Sequence, residues 1–311
     1  MFSILICSYN KAQSLKAVLN NLNHMSASPG AFEVLVIVDG STDETIEELQ
    51  RLVTNYPMEY HLIENLGLTG AMNYGIEKCN GDHIIICDDD IIFHPLYLQN
   101  LQKSVMAAPE NVHIGNLINL NEEYSQSLIQ KINDGKVLDY DSLPDLESYH
   151  TFFDGLKKLY AFKDNYHDFR PSIWWSIVTG NNLCIPKKYF KEVGNFDTGI
   201  VGWGPEDADL CYRLFKTGVT ASYNEDCHLY HLDHPRNSER IMQTMTKNAV
   251  YFVKKHHKPK ELYTYLNFTN GKVSLQAFND ECAEIFDLPK VDIPEFYLSM
   301  KDYSNKEQIL K

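Results

Sequence analysis

The sequence predicts an α/β protein built on a mostly parallel sheet with helices on both faces. Two features of the first third of the chain carry this prediction. Strand-like apolar segments alternate with segments whose apolar residues recur at helical spacing, which is the order of consecutive βαβ units. The strand-like segments are also apolar at nearly every position, as expected where helices cover both faces of a sheet.

Four strand and helix units follow one another up to about residue 108. The predicted strands cover residues 2–7, 32–38, 60–63 and 83–87, and the predicted helices cover residues 15–25, 46–53, 68–79 and 95–108. Ser41 and Glu44 have the spacing of a capping box, which predicts a side-chain cap at the start of the second helix. Together these units predict a Rossmann-like sheet.

The second half of the chain is less regular. Residues 121–170 form a polar, aromatic-rich stretch that is too long for a simple connection, so we expect an insertion there. Pro205 is placed to begin a helix that continues through Leu214 and ends near Gly218. We expect three parts, residues 1–120, 121–245 and 246–311, of which the last is a helical C-terminal appendage.

Composition limits the partners. The 311 residues carry a formal net charge of -14, which opposes binding to nucleic acid, because phosphate contacts normally need clustered lysine and arginine. If so acidic a protein binds a pyrophosphate, a divalent cation must bridge the two negative partners. Clusters of carboxylates are therefore the first place to look for a site.

The cysteines and the apolar segments indicate the compartment. The seven cysteines form an odd set without a CxxC pair, which favours reduced thiols in a cytoplasmic protein. The chain begins with a strand-like run rather than a basic segment, and no apolar stretch approaches the roughly 18 to 20 residues of a membrane span. We expect no integral membrane segment, so that any contact with a membrane would be peripheral.

Polar residues collect where the predicted strands end. Ser8, Asp39 and Asn65 follow the first three strands, and the triplet Asp88-Asp89-Asp90 follows the fourth. Ligands of open α/β sheets bind at the carboxyl ends of the strands, so most of these residues should share one edge of the sheet.

The Asp88-Asp89-Asp90 triplet is a candidate metal site. Backbone alternation points Asp88 and Asp90 to one side and Asp89 to the other, and two carboxylates on one side suit a hard cation. Isolated aspartates at such positions are usually solvated or cap a helix. Three in succession at the end of a buried strand favour metal binding.

Two further segments contribute candidates for ligand contacts. In Val38-Asp-Gly-Ser-Thr-Asp43 an acid lies where a strand turns into a helix, which makes Asp39 a candidate for contact with a base or ribose. The stretch from residue 65 to residue 75 is glycine-rich but lacks the G-x-G-x-x-G spacing, which disfavours a dinucleotide fold. Gly67 and Gly70 fit helix packing and a direct ligand contact equally well.

Glu206 and Asp207 lie in the first turn of the helix that Pro205 begins. The helix dipole favours their anionic forms, as a catalytic base or a clamp on a hydroxyl group requires, although first-turn acids are also common as dipole partners alone. Trp203 precedes them between two glycines and is placed to stack on the face of a sugar.

Three histidines, His228, His231 and His234, crowd one segment. A lone histidine more often packs in the core, but the clustering makes one of them a candidate ligand in a mixed oxygen and nitrogen site that suits Mn²⁺. Their spacing does not choose among the three.

In the order of these motifs, residues 2–118 and 174–236 resemble family 2 glycosyltransferases with the GT-A fold. Residues 3–10 are similar to the opening strand and loop of that family, residues 36–43 to its nucleoside-binding turn, and the aspartate triplet to its metal-binding DxD element. Residues 202–207 resemble a segment shared by bacterial chondroitin-type polymerases and β-1,4-galactosyltransferases.

The resemblance implies an inverting, metal-dependent transfer of a hexose or N-acetylhexosamine from a UDP-sugar to an acceptor hydroxyl in bacterial glycan or glycoconjugate synthesis. Residues 1–120 would bind the nucleotide sugar, and residues 121–245 would bind the acceptor and catalyse the transfer. The acceptor would be a glycan, a glycolipid, a peptide or a small molecule.

The implied site residues form four sets. Asp90 and His231 would bind Mn²⁺ or Mg²⁺, with His231 chosen because it follows a tyrosine as in the related enzymes. The catalytic residues would be Asp207, as the base, and Glu206. The donor-binding set is Ser8, Asp39, Gly70, Asn73, Asp88 and Asp89, and the acceptor-binding set is Trp203, Gly180 and Asn181.

The sequence departs from the family at two places. Many relatives have two acids before Gly40, where this chain has Val38-Asp39, which bears on the nucleobase contact. The Gln-x-x-Arg-Trp motif of membrane polysaccharide synthases is absent, which argues against processive synthesis with export.

Two other functions share some of these features. A nucleotidyltransferase would want a glycine-rich, basic loop near the first strand, where this chain has Ser8-Tyr9-Asn10. A non-catalytic sugar-binding domain would not need both the metal-binding acids and the base.

Overall fold

The computed structural model describes residues 1–28, 30–140, 143, 172–176, 178, 180–235, 238–270, 272–288 and 290. Residues 141–142 and 144–170 of the predicted insertion lie outside the described residues, as do residues 291–311 of the predicted appendage.

The first part of the chain forms parallel strands joined by helices, as the alternating pattern predicts. The strands are β1 Phe2–Ser8, β2 Phe32–Asp39, β3 Met58–Ile63 and β4 His83–Asp88, and the helices between them are α1 Ala12–Leu22, α2 Thr45–Arg51 and α3 Leu68–Lys78. Each strand pairs in parallel with its neighbour in the order β3-β2-β1-β4. The carboxyl ends of these strands therefore lie at one edge of the sheet.

The sheet continues beyond β4 with strands of mixed direction. The elements that follow are β5 Ile91–Phe93, α4 Tyr97–Ala107, β6 Val112–Asn119, α5 Glu122–Asn133, β7 Leu183–Pro186, α6 Lys187–Val193, α7 Glu206–Lys216 and β8 Ala221–His231. The strand order among the residues that the structure describes is β3-β2-β1-β4-β7-β6-β8-β5. Strand β7 is antiparallel to β4 and β6, β5 is antiparallel to β8, and β6 is parallel to β8. The mostly parallel sheet is confirmed, with two antiparallel strands that were not predicted.

In the described residues, the sheet is followed by three helices: α8 Ser238–Lys255, α9 Lys260–Thr269 and α10 Leu275–Ile285. They pack against the same core as the strands, because Phe252, Leu262 and Phe278 are buried in one cluster with Trp175. The Trp175 ring meets Phe252 and Phe278 edge to face, with centroids 6.4 and 5.9 Å apart, a favourable aromatic geometry. The predicted division at residue 246 falls inside α8. None of the helices in the described ranges is both long and apolar enough to cross a membrane.

The capping box predicted for α2 is wrong. Helix α2 begins at Thr45, its N-cap residue Glu44 makes no side-chain cap, and Ser41 Oγ instead accepts from a backbone N–H in the loop after β1. Asp43 accepts hydrogen bonds from the first residues of two helices. Its Oδ1 accepts from Thr45 N of α2 at 3.2 Å, and its Oδ2 accepts from Ala12 N of α1 at 3.0 Å. The Asp43 carboxylate, rather than the Ser41 hydroxyl, thus accepts from free N–H groups at the starts of α1 and α2.

Helix α5 lies at the start of the stretch predicted as an insertion. Asn121 caps it by accepting from Tyr124 N at 2.8 Å, and Leu128 and Ile132 are buried on its inner face. The helix packs on α1. Residues 122–133, at the start of the predicted insertion, thus form a helix in contact with α1.

Candidate active site

The acids after β4 meet the end of β1. Cys7 pairs with Asp88 in the sheet, and Ser8 Oγ donates to Asp89 Oδ2 at 2.6 Å. Ser8 and Asp89 are both buried. Two residues predicted to bind the donor are thereby brought together, and the Ser8 hydroxyl fixes the Asp89 carboxylate.

Asp90 lies at the centre of a group of cations and imidazoles. The pairing of β5 with β8 places the end of β8 alongside it, and Leu232 N donates to Asp90 O at 2.9 Å. His231 Nε2 is 3.5 Å from Asp90 Oδ1, and His234 Nε2 is 3.3 Å from Asp90 Oδ2. Lys11 Nζ is 3.6 Å from the same Oδ2. The structure brings Asp90 and His231 together and adds His234 and Lys11.

The three successive carboxylates have different pKa values. Burial first, and then the charges of Asp90 and Asp89, hold the pKa of Asp88 well above its usual range. Burial and then the charge of Asp90 raise the pKa of Asp89 to about 7. At Asp90 burial is outweighed by the hydrogen bond from His234 and the charge of His231, so its pKa is lowered. Asp90 is therefore the acid of the three that most readily presents a negative charge.

The residues of this corner fit a divalent cation. Asp90 Oδ1 is buried and makes no hydrogen bond with a described residue, and carboxylate and imidazole donors together suit Mn²⁺. The imidazoles of His231 and His234 face the Asp90 carboxylate itself. Within the described ranges, no three His, Cys, Asp or Glu side chains are already arranged as a metal site. A positive charge here would relieve the repulsion among the three acids.

The first turn of α7 carries the second group of acids. Gly180 N donates to Asp207 Oδ2 at 2.7 Å, and a Cβ on Gly180 would lie 2.5 Å from Asp207 Oδ1, so only glycine permits this approach. Asp207 Oδ1 and Glu206 Oε2 are buried without a hydrogen-bond partner among the described residues. Each acid therefore keeps one oxygen available for a ligand.

The pKa values of Glu206 and Asp207 indicate different chemical roles for the two acids. Burial raises the pKa of Asp207 to about 6, against the opposing hydrogen bond from Gly180 N. Burial, and then the charge of Asp207, hold the pKa of Glu206 well above its usual range. A carboxylate with a pKa near 6 is deprotonated at neutral pH and still basic enough to accept a proton, which suits Asp207 to general-base catalysis.

The two groups of acids share one edge of the sheet. Strand β7 is antiparallel to β4, so the turn Gly180–Asn182 that precedes β7 lies beside the end of β4. Asp88 and Asp207 are close enough for the charge of Asp207 to raise the pKa of Asp88. Asn181 in the same turn has a buried Oδ1 without a hydrogen-bond partner among the described residues. Asp207, Asn181 and Asp88, predicted as catalytic, acceptor-binding and donor-binding residues, thus lie near one another at this edge.

Asp39 ends β2 and is buried. Its Oδ1 accepts from Leu66 N at 2.6 Å, and Asn65 Nδ2 donates to Asp39 O at 2.9 Å. Gly40 has a φ of 74°, and a Cβ there would lie 3.0 Å from Asn65, so the turn requires glycine. One carboxylate oxygen of Asp39 joins the loops after β2 and β3, and Oδ2 takes no part in that bond.

Gly70 and Asn73 on α3 have structural partners. A Cβ on Gly70 would lie 2.7 Å from Leu66 Cβ, which agrees with the packing alternative for this glycine. Asn73 Nδ2 donates to Phe196 O at 2.8 Å, and Asn73 Oδ1 accepts from Phe196 N at 2.9 Å. Asn73 joins α3 to the segment after α6, so its side-chain amide is bonded to the protein backbone and not to a nucleotide-sugar donor.

Trp203 lies on an exposed loop ahead of α7. The residue is 52% exposed and lies between Gly202, whose φ is 80°, and Gly204. Asn248 Nδ2 on α8 donates to Val201 O at 3.0 Å and to Trp203 O at 2.9 Å. Helix α8 therefore holds the backbone of this loop and leaves the indole ring accessible.

Asp209 lies two residues after Asp207 and was not predicted from the sequence. It is completely buried, and its carboxylate accepts from Arg213 Nε at 3.0 Å, Lys255 Nζ at 2.9 Å and His256 Nε2 at 2.7 Å. Burial is outweighed by these three partners, which lower the pKa of Asp209. They join the first turn of α7 to the end of α8. The basic run near residue 255 was visible in the sequence, but no spacing linked it to Asp209.

The sequence matches the model of glycosyl transferase family 2 over residues 3–167 and that of the N-terminal domain of galactosyltransferase over residues 161–235. Because the first match covers more than half of the chain, the protein belongs to glycosyl transferase family 2. The resemblance based on the order of the motifs is confirmed.

Among the curated relatives is YfnE, an uncharacterized glycosyltransferase of Bacillus subtilis (strain 168), with 27% identity over 312 residues, covering 91% of this chain and 77% of that protein. Validoxylamine A glucosyltransferase of Streptomyces hygroscopicus subsp. limoneus is 26% identical over 273 residues, covering 82% of this chain and 57% of its own length. The match therefore spans little more than half of that second relative.

The fold is similar to that of GalNAc-T7, whose crystal structure contains UDP, GalNAc and Mn²⁺. The TM-score is 0.58 at 17% sequence identity, covering 99% of this chain and 54% of that one. This likeness confirms the GT-A fold.

Proposed function

We propose that the protein transfers a sugar from a UDP-sugar to an acceptor hydroxyl with inversion at the anomeric carbon, and that the transfer depends on a divalent cation. The observation that supports this most strongly is the meeting of two groups of acids at one edge of the sheet, Asp88 to Asp90 beside His231, and Glu206 with Asp207. One group has the donor atoms for a metal, and the other has a buried acid with the pKa of a base.

The donor would bind at the end of β4. Asp90 and His231 would hold Mn²⁺ or Mg²⁺, with His234 as a further candidate ligand. When bound, the cation would neutralise the donor diphosphate and so favour the departure of UDP. Asp39 would contact the nucleoside through Oδ2, and Ser8 would act indirectly by fixing Asp89.

Asp207 would remove the proton from the acceptor hydroxyl. Gly180 N holds Oδ2 and leaves Oδ1 to face the acceptor. The bond between the acceptor oxygen and the anomeric carbon would form as the bond to the UDP oxygen breaks, so the proton goes to Asp207 and the negative charge leaves with UDP. Attack on the face opposite UDP inverts the anomeric carbon. Trp203 and Asn181 would contact the acceptor.

A panel of UDP-hexoses and UDP-N-acetylhexosamines, assayed with Mn²⁺ and with EDTA, tests this proposal. We expect Mn²⁺-dependent release of UDP from at least one donor, with faster release when sugar acceptors are added. Asp226→Asn, which changes an exposed acid, should behave like wild type. Release of pyrophosphate from UTP and a sugar 1-phosphate, without release of UDP from any UDP-sugar, would indicate a nucleotidyltransferase instead. Binding of UDP without turnover of any donor would indicate a non-catalytic domain.

A further inference from the structure

Helix α8 and the residues after it carry basic charge on an otherwise acidic protein. Residues 238–260 contain six lysines and arginines and one acid, Glu239 in the first turn of α8, although the chain has a net charge of -14. Lys255 and Lys260 are neutralised by ion pairs within the protein. Lys247, Lys254 and Lys258 are exposed, and no acid of the described ranges forms an ion pair with them.

Apolar side chains lie among these lysines. Lys247, Val250, Tyr251 and Lys254 line one shallow surface and have the i, i+3, i+4, i+7 spacing of a single helix face. Val250 is 44% exposed and Tyr251 is 38% exposed. The opposite face of α8 is buried, through Phe252 among others. The helix is therefore anchored on one side and presents a mixed apolar and basic side to solvent.

The loop before α7 extends this surface. A Cβ on Gly199 would lie 2.3 Å from the Tyr251 hydroxyl, so the loop runs directly against α8. Val201 is 68% exposed and Trp203 is 52% exposed on the same loop. We call Val201, Trp203, Lys247, Val250, Tyr251 and Lys254 the α8 surface.

We propose that the α8 surface docks on a bilayer that contains anionic phospholipid. Lysines beside exposed aromatic and aliphatic side chains have the chemistry of helices that lie in a membrane interface, where the charges meet the headgroups and the apolar groups enter the acyl boundary. A soluble polyanion would use the lysines but would bury little of Val201 or Val250. The apolar content therefore favours a bilayer.

Docking through this surface orients the active site. Trp203 lies on the α8 surface and only four residues before Asp207, so the side of the active site that carries Trp203 would face the bilayer. If the proposed sugar transfer is correct, on which this consequence rests, the acceptor is carried by a lipid.

Co-sedimentation of the full chain with phosphatidylcholine vesicles, with and without phosphatidylglycerol, tests the docking. Wild type should bind only the anionic vesicles, and less at high salt. Each lysine near an anionic surface contributes roughly a factor of five, so Lys247→Glu with Lys254→Glu on the α8 surface and Lys258→Glu shortly after α8 should lower partitioning by about 100-fold or more. The control variant has the same charge change at exposed positions on α4, on α5 and after α5, and it should bind like wild type. Its substitutions are Lys103→Glu, Lys131→Glu and Lys136→Glu.

The apolar part has its own variant. Val201→Ser with Val250→Ser should lower vesicle binding about tenfold while leaving binding to soluble polyphosphate unchanged. The docking proposal is wrong if wild type does not bind anionic vesicles. It is also wrong if the lysine variant of α8 and its control variant lose binding equally, or if the valine variant binds vesicles like wild type. Hydrolysis of UDP-sugar without vesicles should be unchanged in these variants. If wild type does not hydrolyse UDP-sugar, this result would contradict the proposed function but not the docking.

Discussion

Asp207 and Asp209 lie two residues apart in the first turn of α7 and face different surroundings. Toward the sheet edge, Asp207 has one oxygen bonded to Gly180 N, a second buried oxygen without a hydrogen bond among the described residues, and a raised pKa. Toward α8, Asp209 is bonded to cationic partners that include Arg213 and Lys255, and its pKa is lowered. The fold neutralises one carboxylate and leaves the other to a ligand.

The end of β4 differs from the interior between α7 and α8 in the same way that Asp207 differs from Asp209. Asp88 and Asp89 have raised pKa values because burial and neighbouring acids oppose their ionisation. Uncompensated buried charge costs stability, so a fold keeps it mainly where a reaction or a ligand uses it. This comparison predicts opposite outcomes for matched substitutions on the two sides of α7.

The largest expected effect is on turnover in Asp207→Asn. The amide keeps the size of the side chain but cannot accept the proton, so the transfer rate should fall by about 10²- to 10⁴-fold. The dissociation constant of UDP should change little, because the metal and nucleotide contacts are assigned to other segments. Transfer kinetics with saturating acceptor and calorimetry with UDP measure the two quantities. Near wild-type turnover would exclude this role, and a collapse in Glu206→Gln alone would move the base by one residue.

Asp209→Asn should destabilise the protein. Removing the charge leaves Arg213, Lys255 and His256 around a neutral amide, and breaking a buried ion pair from one side costs about 3–5 kcal/mol. Arg213 and Lys255 reach solvent in part, so we expect about 2–3 kcal/mol in the free energy of unfolding. Urea denaturation at neutral pH measures this difference. Asp226→Asn serves as the exposed control, and equal stability of Asp209→Asn and wild type would remove the contrast between the two sides of α7.

Asp207→Asn should do the reverse and stabilise the protein at pH 8 by roughly 1–3 kcal/mol. The folded pKa of about 6 lies above the usual value near 4, so the folded state binds the proton more tightly. This contribution to stability is present at low pH and is lost as pH rises toward and through about 6. The advantage of the variant should therefore shrink between pH 8 and about pH 4. Urea curves of both proteins across this range test it, and a constant difference would contradict the assigned pKa.

The smallest expected effect distinguishes the two histidines near Asp90. His231 is 7% exposed and held in β8, whereas the side chain of His234 is 33% exposed. We expect His231→Ala to weaken Mn²⁺ binding about tenfold and His234→Ala to weaken it only a few-fold. Titration of Mn²⁺ followed by its paramagnetic signal measures both. The reverse order would assign the nitrogen ligand to His234.

The sequence predicted the parallel half of the sheet because apolar segments alternate there with segments of helical spacing. Strands β5 and β7 cover three and four residues and lie outside that alternation, so their antiparallel pairing was not predicted. The aspartate triplet and the first turn of α7 were recognised from local patterns. The hydrogen bond from Ala12 to Asp43 and the contacts of Asp209 with Lys255 and His256 join residues far apart in the chain, and such contacts leave no local pattern.

The central claim is that the acids at the end of β4 hold a divalent cation for the donor diphosphate. The most direct test is calorimetry of UDP binding, with and without Mn²⁺, to wild type, Asp90→Ala and the exposed control Asp226→Ala. We expect Mn²⁺ to raise the UDP affinity of wild type and the control by about tenfold or more, and to have no effect on Asp90→Ala. Equal UDP affinity of wild type and Asp90→Ala in the presence of Mn²⁺ would contradict the claim.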